Sequence, residues 1–267
     1  MTTSRSRRYA KRLGQAAVIA LVAGTVGGAA VIAAEAVAAR TRRYARPDLQ
    51  LAMRTSIGEP AATPLRLVLL GDSSALGVGV DRVADTVGGH LAELLAGGRT
   101  TAGRRVDLSS VAVAGSRGGD LATQVARALL GERPDVAVIL VGTNDATGLR
   151  RPSDAAAYLA GAVRRLRDAG VAVVVGTCPD LGAVRAFAPP LRQIVGLLGR
   201  RVARAQATAV IEAGGVPVSL AERAGPVFRA DAGTLCHDGL HPSADGYRVW
   251  AHALYPAVAE AAGVVSR

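Results

Sequence analysis

The sequence is poor in lysine, aromatics and cysteine. Lys11 is the only lysine, aromatics make up 3% of the 267 residues, and there are two cysteines and four histidines. With one Trp and two Phe, there is no basic stripe interleaved with aromatic rings, and a nucleic-acid surface is excluded. Structural zinc sites draw their ligands as two separated pairs, and the only compact group is Cys236, His237, Asp238 and His241, with no second pair elsewhere. No metal and no cofactor are expected. The net charge of +11 is unevenly placed. Residues 1–46 carry nine basic side chains against Glu35 alone, so they hold +8 of it and residues 47–267 only +3. The main body is therefore close to neutral, and the charge brackets one apolar stretch.

That stretch is Leu13 to Ala34, 22 residues without a charge. As a helix it would be about 33 Å long, enough to cross a bilayer core. Tyr9 and Tyr44 flank it where interfacial aromatics would sit. The segment 13–39 is expected to act as a single-pass anchor behind a basic tail at 1–12. Small residues at Ala36–Ala38 resemble a signal cleavage site, so secretion after cleavage is the competing expectation. With a short basic tail preceding the first span, the large domain is expected on the extracytoplasmic side of the cytoplasmic membrane.

Residues 40–64, with Pro47, Gly58, Pro60 and Pro64, read as a linker to a domain at 65–267. In that domain, short apolar runs alternate with helical periodicity. Strands are expected at 65–70, 106–113, 135–141, 171–176 and 216–220. Helices are expected at 86–97, 118–131, 153–169, 190–213 and from about 243 to 262. Continuous apolar strands indicate burial on both faces. The expectation is an α/β fold, a three-layer α/β/α sandwich around a five-stranded parallel sheet, preceded by a transmembrane helix. Sites in such sheets form beyond the carboxyl ends of the strands.

Small and polar residues gather at those ends. Gly71–Gly79 reads "GDSSALGVG", Ala114–Asp120 reads "AGSRGGD", Gly142–Gly148 reads "GTNDATG", and Asp238–Ser243 reads "DGLHPS". Taken in order, Gly71-Asp72-Ser73, Gly115, Gly142-Thr143-Asn144-Asp145 and Asp238-Gly239-Leu240-His241 resemble the four blocks of the SGNH (GDSL-type) hydrolases, over roughly residues 65–262. One departure is Ser74, where the family name implies Leu. The fold this resemblance implies is the flavodoxin-like one of that family.

The residue chemistry agrees with it. Acyl transfer needs a nucleophile, a base, a group that orients the base, and donors for an oxyanion. Ser73 stands where a strand gives way to a helix. His241 has the right intrinsic pKa for a general base and acid, and Asp238 three residues earlier can hold its ring. Pro242 keeps His241 out of helical angles, and Ser243 suits a helix N-cap. The resemblance further implies an oxyanion hole made of the Ser73 and Gly115 N–H groups and the Asn144 amide. Asp72 and Asp145 are expected to brace these loops, while His90, His237 and His252 are expected to be bystanders. Cys178 and Cys236 fall at the same sheet edge, where a disulfide could tether the His241 loop.

The expected activity is that of a serine esterase acting on a small-molecule or lipid ester: lipid acyl, lysophospholipid or acetyl. An acyltransferase or thioesterase could use the same residues, and an inactive envelope-binding module is the alternative of another class. Nothing in the sequence bears on oligomeric state.

Overall fold

The computed structural model describes residues 27–46, 54–98 and 104–265, in two compact units. The first holds residues up to Arg42 together with Phe187–Leu191. Its residues 27–41 form helix α1, whose Glu35 Oε2 accepts the Leu191 N–H at 3.0 Å. The basic tail expected at 1–12, and the span expected at 13–39 as far as residue 26, lie outside the described residues. Among the described residues no helix is long and apolar enough to cross a membrane.

The second unit, Arg43–Ala186 with Arg192 onward, is built on one sheet. Its strands are β1 (Arg54–Ile57), β2 (Pro64–Gly71), β3 (Arg105–Ser110), β4 (Val136–Leu140), β5 (Ala172–Gly176) and β6 (Val216–Val218). They lie in the order β1-β3-β2-β4-β5-β6. Between them run α2 (Ser73–Leu76), α3 (Val87–Ala96), α4 (Leu121–Ala128), α5 (Thr143–Thr147), α6 (Pro152–Asp168), α7 (Leu191–Glu212), α8 (Leu220–Arg223), α9 (Gly225–Ala230) and α10 (Ala244–Val265).

The apolar runs divide by the two-residue period of a strand. Leu65, Leu67 and Leu69 point into a core shared with α3 and α10, including Leu91, Leu95, Trp250 and Leu254. Val68 and Leu70 point into a second core with α4 and α6, including Leu121, Val125, Leu159 and Val163. Both faces of β2, β4 and β5 are thereby closed, which is why those strands carry no polar alternation. Each fully buried Leu, Ile or Val there contributes about 1.5–3 kcal/mol.

Two expectations are corrected. The sheet has six strands rather than five, and it is mixed rather than all parallel. The added strand, β1, comes from residues read as linker and pairs antiparallel with β3. Its sequence, Arg-Thr-Ser-Ile, alternates exposed and half-buried positions at a sheet edge, so it lacks the apolar run that marks the central strands. The opposite edge, β6, tolerates Pro217 because an edge strand can spare one ladder donor.

Candidate active site

From β3 the chain crosses β2 to reach β4, so the strand order reverses direction beside β2. The loops after β2, β3 and β4 therefore converge at one crevice. They carry Ser73, Gly115 and Asn144 respectively.

Ser73 opens α2 directly after β2. At Gly71 the backbone has φ +133°, and a Cβ there would sit 1.8 Å from the Leu140 carbonyl oxygen, so only glycine fits at this end of β2 beside β4. Asp72 caps α2: its N–H donates to the Leu140 carbonyl at 3.0 Å and its Oδ1 accepts the Ser74 N–H at 2.9 Å. The Val78 N–H closes the turn on the Ser73 carbonyl at 3.0 Å, and the buried Tyr247 hydroxyl donates to the Val78 carbonyl at 2.7 Å. Burial pushes the Asp72 carboxyl up to about 6, against the lowering effect of its Ser74 hydrogen bonds.

His241 and Asp238 sit in a tight loop ahead of α10. The Cys236 N–H donates to the His241 carbonyl at 2.8 Å, and the Gly239 carbonyl accepts the Arg185 and Ala186 N–H groups at 2.8 and 2.9 Å. Ser243 caps α10, its Oγ accepting the Gly246 N–H at 3.3 Å. Within this frame His241 Nδ1 lies 2.6 Å from Asp238 Oδ2, and His241 Nε2 lies 3.0 Å from Ser73 Oγ, 168 residues away in the chain. Asp238 Oδ1 also accepts the Leu240 N–H at 2.7 Å, the His241 N–H at 2.9 Å and the Cys236 thiol at 3.1 Å. Its Oδ2 accepts the Ala45 N–H at 2.9 Å as well. Burial alone would raise the Asp238 pKa, but the His241 ring and the Leu240, Ala45 and His241 N–H groups outweigh it and hold the carboxyl far below its ordinary value.

Gly115 has φ +80°, and nothing lies within 4 Å of where a Cβ would be, so its backbone borders open space. Asn144 Nδ2 donates to the Ser116 carbonyl at 3.0 Å, which ties the β4 loop to the β3 loop. Asp145 makes the same tie from its other side, accepting the Gly118 N–H at 3.1 Å. Ser73, Gly115, Asn144 and His241 all border one cavity of about 240 Å³. Its remaining wall is mostly apolar, with Val78, Leu181, Val184, Leu220, Phe228 and Trp250.

The other histidines fall outside this arrangement. His237 and His252 are exposed, and His90 is half-buried in α3 with Nε2 3.3 Å from the Ala244 carbonyl. The disulfide considered for Cys178 and Cys236 is not formed, and both thiols are free. Cys178 is fully buried, with its Cβ packed under Gly142, whereas the Cys236 sulfur faces Asp238. Burial raises the Cys236 thiol to about 11, with Asp238 adding to the rise. Among the described residues no group of three or more His, Cys, Asp or Glu is placed to hold a metal ion.

Two buried glutamines were missed in the sequence. Gln124 of α4 clips the end of β2, accepting the Gly71 N–H at 2.7 Å and donating to the Gly71 carbonyl at 2.9 Å and to Ser116 Oγ at 3.0 Å. Gln206 of α7 does the same for β4, donating to the Val141 carbonyl at 2.9 Å and accepting the Cys178 N–H at 2.8 Å. The signal was available: Gln124 shares a helix face with Leu121, Val125 and Ala128, and Gln206 with Val202, Ala203 and Val210. A glutamine on an apolar face needs buried partners.

Residues 69–249 match the GDSL-like Lipase/Acylhydrolase family. The chain is 42% identical over 199 residues to the GDSL-like esterase Rv1075c of Mycobacterium tuberculosis (strain ATCC 25618 / H37Rv), a match covering 74% of this chain and 62% of that protein. Among solved structures, that of TesA is similar at a TM-score of 0.59 and 21% identity, over 73% of this chain and 99% of that one. A lipase/acylhydrolase from Enterococcus faecalis aligns at a TM-score of 0.57 and 19% identity, over 73% and 95% of the two chains. The acetyl xylan esterase AlAXEase aligns at 0.55 and 19%, over 72% and 99%. These structural likenesses speak for the fold; the match over residues 69–249 speaks for descent, and by it the chain belongs to the GDSL-like lipase/acylhydrolase family.

Proposed function

We propose that the protein is a carboxylic ester hydrolase that works through an acyl-enzyme on Ser73. The observation that carries this reading is the hydrogen-bonded line from Ser73 Oγ through His241 to Asp238, 3.0 and 2.6 Å, at the edge of an apolar cavity. His241 Nε2 takes the Ser73 proton as Oγ attacks the ester carbonyl carbon. Asp238 orients the ring and stabilises the imidazolium. The oxyanion of the tetrahedral intermediate is received by the Ser73 and Gly115 N–H groups and the Asn144 amide. One Asn144 amide hydrogen is committed to Ser116, which aims the group and leaves the second for substrate. Collapse breaks the ester C–O bond, and His241 hands its proton to the leaving alkoxide. A water, deprotonated by His241, then attacks the acyl carbon and frees Ser73.

The apolar wall supports an ester with a hydrocarbon acyl or alcohol part, such as a lipid acyl ester, over a bare acetyl group. Each methylene buried there is worth about 0.8 kcal/mol, or about fourfold in kcat/KM, until the cavity is filled. The proposed setting is the extracytoplasmic face of the membrane, with residues 13–39 as anchor; protease accessibility on intact cells tests it, and protection of the domain would refute it. The enzymatic reading is tested with a fluorophosphonate probe and a panel of esters and thioesters from acetyl to long acyl. Wild type is expected to label and turn over, and Ser73→Ala to do neither while keeping its fold. A folded wild type that does not label, beside a control hydrolase that does, would rule the reading out.

A further inference from the structure

Asp238 is held by five hydrogen bonds, and four come from its own loop: the Cys236 thiol, the Leu240 and His241 N–H groups, and the His241 ring. The fifth comes from 193 residues away. The Ala45 N–H donates to Oδ2 at 2.9 Å, the same oxygen that faces His241 Nδ1. Ala45 and its neighbour Tyr44 also border the cavity that Ser73, Gly115 and Asn144 border, and both are half-buried. The segment has no secondary structure of its own. A backbone donor on the orienting carboxylate and a side chain in the cavity wall thus come from a four-residue stretch that precedes every strand of the sheet.

We infer that Arg43–Arg46 is a working part of the active site, in which the Ala45 N–H is a positioning donor to Asp238 and Tyr44 is a wall against the bound ester. The inference rests on the esterase reading above. Oδ2 has two jobs: it receives the ring N–H of His241, and it must not rotate away as that ring becomes charged. A second donor on Oδ2, at 2.9 Å beside the shorter ring contact at 2.6 Å, fixes the carboxylate plane without competing for the ring. Asp238 itself needs nothing from residue 45 to fold its loop, because Oδ1 already takes the Leu240 and His241 N–H groups. The Ala45 bond therefore acts on the charge-bearing face of the pair. Tyr44 acts differently, through contact with substrate. Cleavage after Ala38 would leave both residues in place, so the element is present in anchored and released forms alike.

The two roles separate in kinetics. Ala45→Pro removes the N–H, and Ala45→Gly keeps it. In the full chain, with folding checked by circular dichroism and Tm, Ala45→Pro should lower kcat by about tenfold to a hundredfold for every ester that wild type hydrolyses, and Ala45→Gly by less than about threefold. In an Asp238→Ala background, Ala45→Pro should change the fluorophosphonate labelling rate by less than about twofold, because its effect runs through the missing carboxylate. Tyr44→Ala should raise KM at least about fivefold for the best ester with kcat within about twofold. A folded Ala45→Pro with wild-type kcat, or an equal cost with and without Asp238, overturns the positioning role. An unchanged KM in Tyr44→Ala overturns the wall, and it decides against the whole inference if Ala45→Pro does not fold. An active, labelled wild type with silent variants refutes this inference alone, whereas a wild type that neither labels nor turns over refutes the esterase reading and this with it.

Discussion

Asp72→Asn is expected to gain stability relative to wild type as pH rises from the acid range to neutrality. Asp72 is buried beside the nucleophile, and burial raises its carboxyl from an ordinary 3.8 to about 6. A raised folded-state pKa means that the folded protein binds a proton more readily than the unfolded chain. Stability attributable to this group is then highest below 3.8 and declines as pH rises towards 6. The full shift, roughly two units, corresponds to about 3 kcal/mol carried as a cost at neutral pH. From pH 4 to pH 7 the cost grows by about 2 kcal/mol, since the unfolded aspartate is already part-ionised at pH 4. Asparagine keeps the oxygen that accepts the Ser74 N–H, so the cap on α2 survives. Its amide introduces donors that differ from a carboxyl, but that difference does not vary with pH and cancels in the comparison. The assay is the Tm of wild type and variant at pH 4, 5, 6 and 7 in one buffer series. The gap should widen in favour of the variant by about 4–8 °C across the series and then level off. A gap that stays constant, or that narrows with rising pH, would refute the argument that an ionised Asp72 is the source of the cost.

Further outcomes follow from the same geometry. Asn144→Ala should lower kcat by about 10²–10³ with the fold intact, measured by steady-state hydrolysis; full activity would remove Asn144 from the oxyanion site. Gln124→Leu leaves the Gly71 N–H without its partner, while the Gly71 carbonyl keeps the Val113 N–H, and should cost about 1–3 kcal/mol in denaturant unfolding. Asp238 has a folded-state pKa far below its ordinary value, so its stabilisation is complete above about pH 4 and is lost as pH falls towards the folded value. Asp238→Ala should therefore flatten the acid limb of the stability curve below about pH 4, and an unchanged acid limb would contradict the hydrogen-bond count on that carboxylate.

The central strands and main helices were legible because each obeys one local rule. Leu67–Leu70, Val136–Leu140 and Ala172–Val175 are apolar without a break, and α6 and α10 keep helical periodicity over most of their length. β1 was not legible, because Arg54–Ile57 is held by pairing with β3 and contributes only Ile57 to the core. For the short helix α2 only its start at Ser73 was expected and not its extent, since four residues carry no period.

By itself, the sequence determined which residues could do chemistry. Ser73, Asp238 and His241 each stand at a strand end or a helix start, where small and polar residues have no place in a core. It also determined the order of the blocks and the apolar character of what lies between them. Only the tertiary structure decided the distances: Ser73 and His241 come within 3.0 Å across 168 residues because β2 lies centrally in the sheet and α10 packs back against it. It also decided the partners that have no local signature. Gln124 and Gln206 bond strand ends they are not near in sequence, and the Ala45 N–H reaches Asp238. A backbone donor is the same at every non-proline position, so no residue type could have announced it.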